Sequence, residues 1–321
     1  MTPLRWGLLA LGVAAIWAAP AGMKNYGIYI STLWAVYAIA GMGLNLTVGY
    51  AGQISLGQAA FLGIGAYVTA LLAKAGVPWL AIVPAAAAAC FVVGLLVGFP
   101  ALRVQHHYLA FATLGFNMLV YLVLRNEEWL TGGTFGINNV PRPDLFGWRF
   151  NRNPDFYHLT IVVLLVMAGL MAWLLRSPWG RAFAALRDNP IRAESVGIDT
   201  TFYTLMAFAI GAAYAGVAGA LFAPLVQFVE PAPFGLSTSL SMLLMVIAGG
   251  SGRFFGPALG AVIIVLLPEW LRVAADWYLA IFGLLIVLMM VWLPGGLLSL
   301  PDRVATLLAA RGARRSRGAR A

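Results

Sequence analysis

Charged residues are scarce in this chain: Asp, Glu, Lys and Arg make up 10% of its 321 residues, whereas apolar residues make up 62%. Soluble domains carry about 25% charged residues, so this composition excludes a water-soluble fold and indicates an integral membrane protein. The apolar stretches run for roughly 18 to 25 residues and lack the alternation of barrel strands, which favours membrane-spanning helices. We therefore predict an all-α, polytopic membrane protein.

Cysteine and lysine are almost absent. The one cysteine, Cys90, lies inside an apolar stretch, which excludes an internal disulfide and indicates a small buried side chain. The two lysines follow Met23 and Ala73, whereas a phosphate-binding loop requires Gly-Lys followed by Ser or Thr. The chain is therefore not expected to hydrolyse ATP itself.

Ionisable residues are missing from the middle of the predicted spans. Proton relays in membranes are built from Asp, Glu and His, yet Glu230, Glu269 and Asp276 all lie close to span ends. This counts against an ion-coupled secondary transporter, which is the alternative from another functional class. No Cys, His or carboxylate cluster has the spacing of a metal site, and the serines of residues 237–241 have no base nearby. We predict no catalytic residue and no metal, and we expect these serines to bond back to helix carbonyls.

About ten stretches are long and apolar enough to be transmembrane helices. The first is short and precedes Ala19-Pro20-Ala21, so it also fits a cleaved signal peptide. The third is glycine-rich and is open to a break near Gly57, and the eighth is short enough for a re-entrant helix. The ten are Trp6–Ala19, Tyr26–Val48, Gly52–Ala73, Trp79–Ala101, His107–Leu124, Tyr157–Leu175, Thr204–Val226, Leu236–Ala248, Phe254–Leu271 and Ala274–Leu293.

Neutral polar side chains interrupt the apolar segment Gly43–Leu72. Amides and hydroxyls are costly in hydrocarbon, so they must face neighbouring helices or a water-filled cavity. We predict that such residues line part of a translocation path suited to a zwitterion or a neutral polar solute. They are Asn45, Gln53, Ser55 and Gln58 of this segment, with Thr113 and Asn117 of the predicted span His107–Leu124.

Small residues at helical spacing predict two ridges for close helix packing. The first ridge, interleaved with Gln53 and Gln58, is expected to belong to a moving helix beside the path. The second is expected to serve packing alone. The first consists of Gly52, Ser55, Ala59 and Gly63, and the second of Gly211, Ala215 and Ala218.

Basic residues are distributed unevenly between the two ends of the predicted bundle. If both termini lie on one side, that side carries 13 basic and 4 acidic residues, and the other carries 7 of each. The whole formal net charge of +9 then falls on one face. Positive residues in short loops resist translocation, so this face and both termini are predicted to be cytoplasmic.

Two segments outside the spans are unusual. Residues 125–156, on the predicted outer side, are too long for a simple connector and are interpreted as a docking or lid element. The basic tail, residues 303–321, is expected to be disordered and to be attracted to anionic membrane lipid rather than to nucleic acid.

The longest predicted cytoplasmic loop, residues 176–203, contains the pattern of a short helix. Asn189 is the expected N-cap, Pro190 the first helical residue and Gly197 the stop after Ile191–Val196. A helix of about two turns has little stability in water and must be stabilised by contact with another part of the protein or with a partner. From the residues alone, a coupling helix that inserts into a soluble ATPase and a solvated interfacial turn fit equally well.

Four blocks of the sequence, in this order and at this spacing, resemble the permease subunits of bacterial ABC importers for branched-chain amino acids, specifically the longer of the two paired permeases. The resemblance covers most of the chain and implies a permease-like helical bundle over residues 1–302. The blocks are Asn45–Tyr67, Tyr108–Phe116 with Thr131–Ile137, Gly180–Asp199 and Met242–Arg272.

The resemblance also implies partner subunits and assigns ATP hydrolysis and solute transport to different subunits. A second homologous permease subunit, two cytoplasmic ATPase subunits and an extracytoplasmic solute-binding protein would complete an importer of the bacterial inner membrane. ATP and Mg²⁺ would be used by the ATPase, and this chain, a transport subunit moving solute by alternating access, would bind no cofactor. The coupling-helix interpretation is thereby favoured, with ATPase contacts at Arg187, Asp188, Asn189, Pro190, Arg192, Ala193, Glu194 and Gly197.

Two departures from the common pattern of the family bear on the solute. Phe135 stands where a small polar residue is common, and His106-His107 replace a more usual glycine-containing pair. Permeases similar to this family carry urea, short amides or aromatic acids, and these solutes are the alternative to branched-chain amino acids. Selection among solutes is expected to rest largely on the separate binding protein.

Overall fold

The computed structural model describes residues 16–101, 106–145 and 147–271, together with 277, 283–284, 287–288 and 295–299. Helices dominate these residues, which confirms the all-α prediction. The helices are α1 (Asn25–Asn45), α2 (Gln58–Lys74), α3 (Trp79–Ala101), α4 (His106–Asn126), α5 (Glu128–Thr131), α6 (Asn153–Arg176), α7 (Pro178–Asp188), α8 (Pro190–Ser195), α9 (Thr200–Val226), α10 (Leu236–Gly250) and α11 (Gly256–Leu271).

Several of these helices can cross a membrane. Within the described residues, α1 with the turn that follows it, α3, α4, α6 and α9 are long and apolar enough, and α2, α10 and α11 are shorter apolar helices. These eight correspond to the second to ninth predicted spans. The first predicted span lies largely outside the described residues, as do the tenth span and the basic tail.

Helix α9 lies at the centre of the bundle, against α1, α2 and α3. Its most apolar stretch is 78% buried, whereas the corresponding value is 22% for α3 and 28% for α4 and α6. The sequence of α9 explains this position, because glycine and alanine on all sides let other helices approach its backbone. Helices α10 and α11 pair with each other and pack on α1, and α6 packs on the same helix.

Glycines set the closest helix crossings. A Cβ on Gly65 of α2 would overlap the carbonyl oxygen of Gly216 in α9, and one on Gly219 would lie 2.6 Å from the backbone nitrogen of Ala66. On the other side of α9, a Cβ on Gly216 would lie 2.8 Å from Cys90 Sγ in α3. Backbone therefore meets backbone where α2, α3 and α9 cross.

The two predicted ridges have different outcomes. In α9, Gly211 packs against α1, since a Cβ there would lie 2.8 Å from the carbonyl oxygen of Gly43, and Ala215 and Ala218 are fully buried, as predicted. The first ridge is wrong as a single helical face, because α2 begins at Gln58 and the residues before it are not helical. The third predicted span is thus shorter than expected, and the anticipated break near Gly57 is confirmed.

The 125–156 segment is an ordered structure. It contains α5 and three short strands: β1 (Ile137–Asn138), β2 (Asp144–Leu145) and β3 (Trp148–Arg149). Strand β1 pairs antiparallel with β4 (Phe228–Val229), which directly follows α9, and β2 pairs with β3. The segment is thereby fixed to the same end of the bundle as the end of α9 and the start of α10.

Candidate functional site

The connection between α1 and α2 is not α-helical, although it lies within the bundle. A π-helical turn covers Leu46–Tyr50, and residues 51–57 are irregular up to the start of α2. Gly52 permits this path because its backbone is left-handed, with φ of +73°. Helix ends leave backbone N–H and C=O groups without intrahelical partners, and these groups need protein partners where water is excluded.

Side chains of other helices supply these partners at the start of α2. Thr113 Oγ1 of α4 accepts from the N–H of Leu56 at 2.9 Å, and Asn117 Oδ1 accepts from the third N–H of α2 at 2.9 Å. Ser239 Oγ of α10 accepts from the second N–H at 3.0 Å and donates to Asn117 Oδ1 at 3.1 Å. Helices α4 and α10 therefore cap α2 in place of a local N-cap residue.

Two amides connect the same region to other parts of the bundle. Gln58 Nε2 donates to the carbonyl oxygens of Ala40 at 2.8 Å and Gly211 at 3.3 Å. Asn45 Nδ2 donates to the carbonyl of Arg253 at 3.0 Å, and Asn45 Oδ1 accepts from the N–H of Gly252 at 2.8 Å. Asn45 thus joins the end of α1 to the turn between α10 and α11.

Replacing Asn45 by alanine is expected to destabilise the protein, because the Gly252 N–H and the Arg253 carbonyl both lose this partner. Leaving one buried polar group unsatisfied costs about 1–3 kcal/mol. The measurement is the midpoint of thermal unfolding in detergent. The control is Asn138→Ala, which changes an exposed asparagine of β1 and is expected to leave the midpoint unchanged. Equal midpoints for the two variants would contradict the bridging role of Asn45.

The six residues predicted to line a translocation path are buried in this conformation, each less than 5% exposed: Asn45, Gln53, Ser55, Gln58, Thr113 and Asn117. The structure brings them together around the α1–α2 connection and the helices that cap it. Gln53 Oε1 and Asn117 Nδ2 have no hydrogen-bond partner within the described chain. The assignment of these residues to a path stays a prediction.

Sequence reasoning missed the role of Ser239. It was expected, with its neighbours, to bond back to its own helix, and Ser241 Oγ does so by donating to the carbonyl of Ser237 at 2.9 Å. Ser239 is instead fully buried against α2. Its spacing from Met242, Met245 and Val246, which are also fully buried, is the sequence signal that could have placed it on the inner face of α10.

The short helix predicted in residues 176–203 is present. Asn189 Oδ1 accepts from the N–H of Arg192 at 3.1 Å, Pro190 is the first residue of α8, and Gly197 follows it with φ of +85°. The helix begins at Pro190 as predicted and ends at Ser195, one residue before the predicted end at Val196. Asp199 then caps α9 by accepting from the N–H of Phe202 at 2.9 Å.

Helix α7 holds α8 against the bundle. Gly180 is required because a Cβ there would overlap the carbonyl of Leu175 at the end of α6. Trp179 packs edge-on against the rings of Phe202 and Tyr203 at the start of α9, with centroid distances of 5.7 and 5.5 Å. Phe183 adds a further contact to Tyr203. These aromatic contacts fix α7 and thereby the start of α8, which follows it after Asn189 and is too short to be stable alone.

The outward face of α8 combines apolar and charged groups. Ile191 is 80% exposed and Val196 is 75% exposed, and both flank the exposed Arg192 and Glu194. Ala193 points the other way and is 3% exposed. Arg187 and Asp188, at the end of α7, are exposed beside this face.

Helix α7 also contacts the α1–α2 connection. A Cβ on Gly52 would lie 3.4 Å from Arg187 Cα, and one on Gly252 would overlap Arg187 Nη1. Gly252 is the residue whose N–H binds Asn45. Direct contacts therefore run from the exposed α7–α8 surface to the point where α1 ends.

At the opposite end of the bundle, Arg142 fastens the 125–156 segment to the start of α6. Its Nη2 donates to Asn153 Oδ1 at 2.7 Å, and its guanidinium lies 5.8 Å from the ring centre of Phe156. Burial lowers the pKa of Arg142 through desolvation. Trp129 and Phe135 of the same segment are each 82% exposed.

The described residues hold no group of three or more His, Cys, Asp or Glu side chains able to bind a metal ion. What they do hold is a bundle of apolar helices, a non-α connection stabilised from several helices, and a capped short helix exposed at one end. This combination defines a polytopic helical membrane protein of the transport-permease class.

The family model described as "Branched-chain amino acid transport system / permease component" matches residues 26–293. The chain belongs to this family. No solved structure gives a significant match.

Curated relatives agree with the family. The chain is 38% identical to the high-affinity branched-chain amino acid transport system permease protein LivM of Salmonella typhimurium and to that of Escherichia coli, over 91% of this chain and 74% of each relative. It is also 25% identical to the autoinducer 2 import system permease protein LsrC of Salmonella typhimurium, over 86% of this chain and 82% of that one. The family thus includes permeases named for chemically different solutes.

Proposed function

We propose that this chain is the membrane-embedded permease subunit of an ATP-driven importer and moves branched-chain or related hydrophobic amino acids inward by alternating access. The observation that carries the proposal is the match to the branched-chain amino acid permease family along residues 26–293. The chain is 38% identical to two LivM permeases over 91% of its length, which supports the same solute class.

The complex would contain a second homologous permease subunit, two cytoplasmic ATPase subunits and an extracytoplasmic solute-binding protein. ATP and Mg²⁺ belong to the ATPase in this proposal, because neither lysine of this chain lies in a phosphate-binding motif. Both termini and the α7–α8 surface lie in the cytoplasm of a bacterial cell, as the arginine distribution predicts. The buried polar residues of the α1–α2 connection lie beside the path and contact solute in another conformation of the cycle.

The α7–α8 surface is the proposed contact with the ATPase. Protein interfaces combine apolar anchors with polar and charged groups, and α8 with the residue after it exposes Ile191 and Val196 beside Arg192 and Glu194. The contacts of Arg187 with Gly52 and Gly252 offer a direct route by which movement of α7 reaches the end of α1.

Replacing Arg192 and Glu194 together by alanine is expected to weaken ATPase docking roughly tenfold or more, because truncating a charged residue that is buried and paired in an interface costs about 2–5 kcal/mol. Membrane insertion and folding are expected to be unchanged, since both side chains are exposed. The measurement is co-purification of the ATPase with the permease at graded salt concentrations. Normal assembly and normally coupled transport by this variant would contradict the assignment.

The control for that variant is the pair Lys74→Ala and Glu128→Ala, which removes one charge of each sign from exposed residues at the opposite end of the bundle. This pair is expected to retain the ATPase. Loss of the ATPase in both double variants would indicate a general loss of stability rather than a docking defect.

Solute uptake into vesicles tests the proposed function as a whole. Vesicles containing the complete complex are expected to accumulate leucine only when ATP is inside and the solute-binding protein is outside. Uptake driven by an ion gradient without ATP would support the secondary-transporter alternative instead. Competition by urea, acetamide or benzoate, tested with the same binding protein, would indicate the other solutes carried by similar permeases.

A further inference from the structure

A cavity of about 530 Å³ lies between α1, α10 and α11. Among the described residues, its polar lining comprises Tyr37 from α1, three hydroxyl residues from the first two turns of α10, and Glu269 near the end of α11. The α10 residues are Ser237, Thr238 and Ser241. The α1–α2 connection and the α7–α8 surface contribute no residue to this cavity.

The position of Glu269 is unusual. It is the one charged residue of α11, whose other members are apolar, small or proline. It lies two residues before the end of α11, so it brings a carboxylate to the outer end of the bundle. Here it lines the same cavity as hydroxyl residues of two other helices.

The other described lining residues are apolar. They include Leu33 of α1 and Ile264 and Val265 of α11, and both helices also carry polar lining residues. One wall thus offers a negative charge, a second offers hydroxyl donors at the N-terminal end of a 15-residue helix, and the rest is apolar. The positive end of a helix dipole favours an anionic group close to it.

We propose that this cavity binds an α-amino acid with an aliphatic side chain, within the permease itself. Glu269 binds the ammonium group by a charge-assisted hydrogen bond. The hydroxyls of Ser237, Thr238 and Tyr37 donate to the carboxylate of the ligand. Leu33, Ile264 and Val265 contact its side chain.

The inference rests on the proposed function, since it gives the permease a binding site for the solute that the importer carries. The location fits this role. Helix α10 begins seven residues after β4, which pairs with β1 of the 125–156 segment, so the cavity lies at the end of the bundle predicted to be outside. A solute released from the binding protein would reach this cavity before it crosses the bundle.

The test is equilibrium binding of radiolabelled L-leucine to the complete complex in lipid nanodiscs, without the solute-binding protein. Wild type is expected to bind leucine saturably. Glu269→Gln is expected to bind it roughly tenfold more weakly, because the amide oxygen can still accept from the ammonium group but no longer carries a negative charge. Glu128→Gln, an exposed acid of α5 at the same end of the bundle, serves as the matched control and is expected to bind like wild type.

A second ligand tests whether the Glu269 carboxylate binds the ammonium group of leucine. 4-Methylpentanoate has the carboxylate and side chain of leucine but no ammonium group. Its weak binding is expected to be unaffected or improved by Glu269→Gln, because the substitution removes a like charge. A merely destabilised variant would lose both ligands together, and equal elution in size exclusion and equal melting would verify its fold.

The outcomes separate this inference from the proposed function. If the complex imports leucine with ATP and the binding protein but wild type binds no leucine alone, the inference is overturned and the function stands. Equal binding by wild type and Glu269→Gln would also overturn it. If the complete complex imports no leucine, the proposed function fails and the inference fails with it.

Discussion

Replacing Gly219 by leucine is expected to prevent the chain from forming a stable bundle. A Cβ at this position would overlap the carbonyl oxygen of Leu62 and approach the Ala66 nitrogen of α2 to 2.6 Å. The obstructing atoms belong to backbone, which cannot rotate away as a side chain can. Overpacking a core costs about 1–3 kcal/mol where side chains adjust, and we expect at least ~3 kcal/mol here because the helix axes must separate.

The measurement is the yield and elution profile of the solubilised protein in size exclusion, followed by its thermal midpoint. Gly169→Leu in α6 is the matched control, since a Cβ there would meet no atom within 4 Å. The control makes the same chemical change on a membrane-facing helix and is expected to behave like wild type. Normal elution and melting of Gly219→Leu would mean that α2 and α9 are not packed backbone to backbone.

Replacing Ile191 and Val196 together by aspartate is expected to abolish ATP-driven import. Both side chains are largely exposed, at 80% and 75%, so folding of the permease does not depend on them. If they are the apolar anchors of the ATPase interface, each substitution removes an anchor and buries a charge in its place. Interface anchors contribute about 2–4 kcal/mol each, so docking is expected to fall at least a thousandfold when both are lost.

Co-purification of the ATPase and ATP-dependent uptake are the two measurements for this variant. The matched control is Phe135→Asp with Trp129→Asp, which introduces the same charges at two residues that are 82% exposed at the opposite end of the bundle. The control is expected to retain the ATPase. If the Ile191 and Val196 variant retains the ATPase and the control loses it, the ATPase binds at the end that carries Trp129 and Phe135. The predicted orientation in the membrane would then be reversed.

The long helices and the short helix α8 follow from local rules. Apolar stretches of about 20 residues predict spans, and Asn189, Pro190 and Gly197 mark the ends of α8 through their own backbone preferences. These features depend on residues close together in the chain. They are therefore visible in the sequence without knowledge of the fold.

The α1–α2 connection could be predicted only in part. Its glycines indicated a break near Gly57, and its amides indicated a need for partners. The partners themselves lie far away: Asn45 binds residues 252 and 253, and α2 is capped by Thr113, Asn117 and Ser239. Hydrogen bonds between distant residues leave no periodic pattern, which is why the non-helical path before Gln58 and the partners of Ser239 were not predicted.

The capping of α2 from other helices has a consequence for biosynthesis. The chain enters the membrane from its N-terminus, so residues 46–57 arrive before α4 and long before Ser239 of α10. Until those helices arrive, the backbone at the start of α2 lacks the groups that complete its hydrogen bonding. The start of α2 is thus completed only after α10 has been synthesised, and assembly in the bilayer depends on synthesis of about three quarters of the polypeptide.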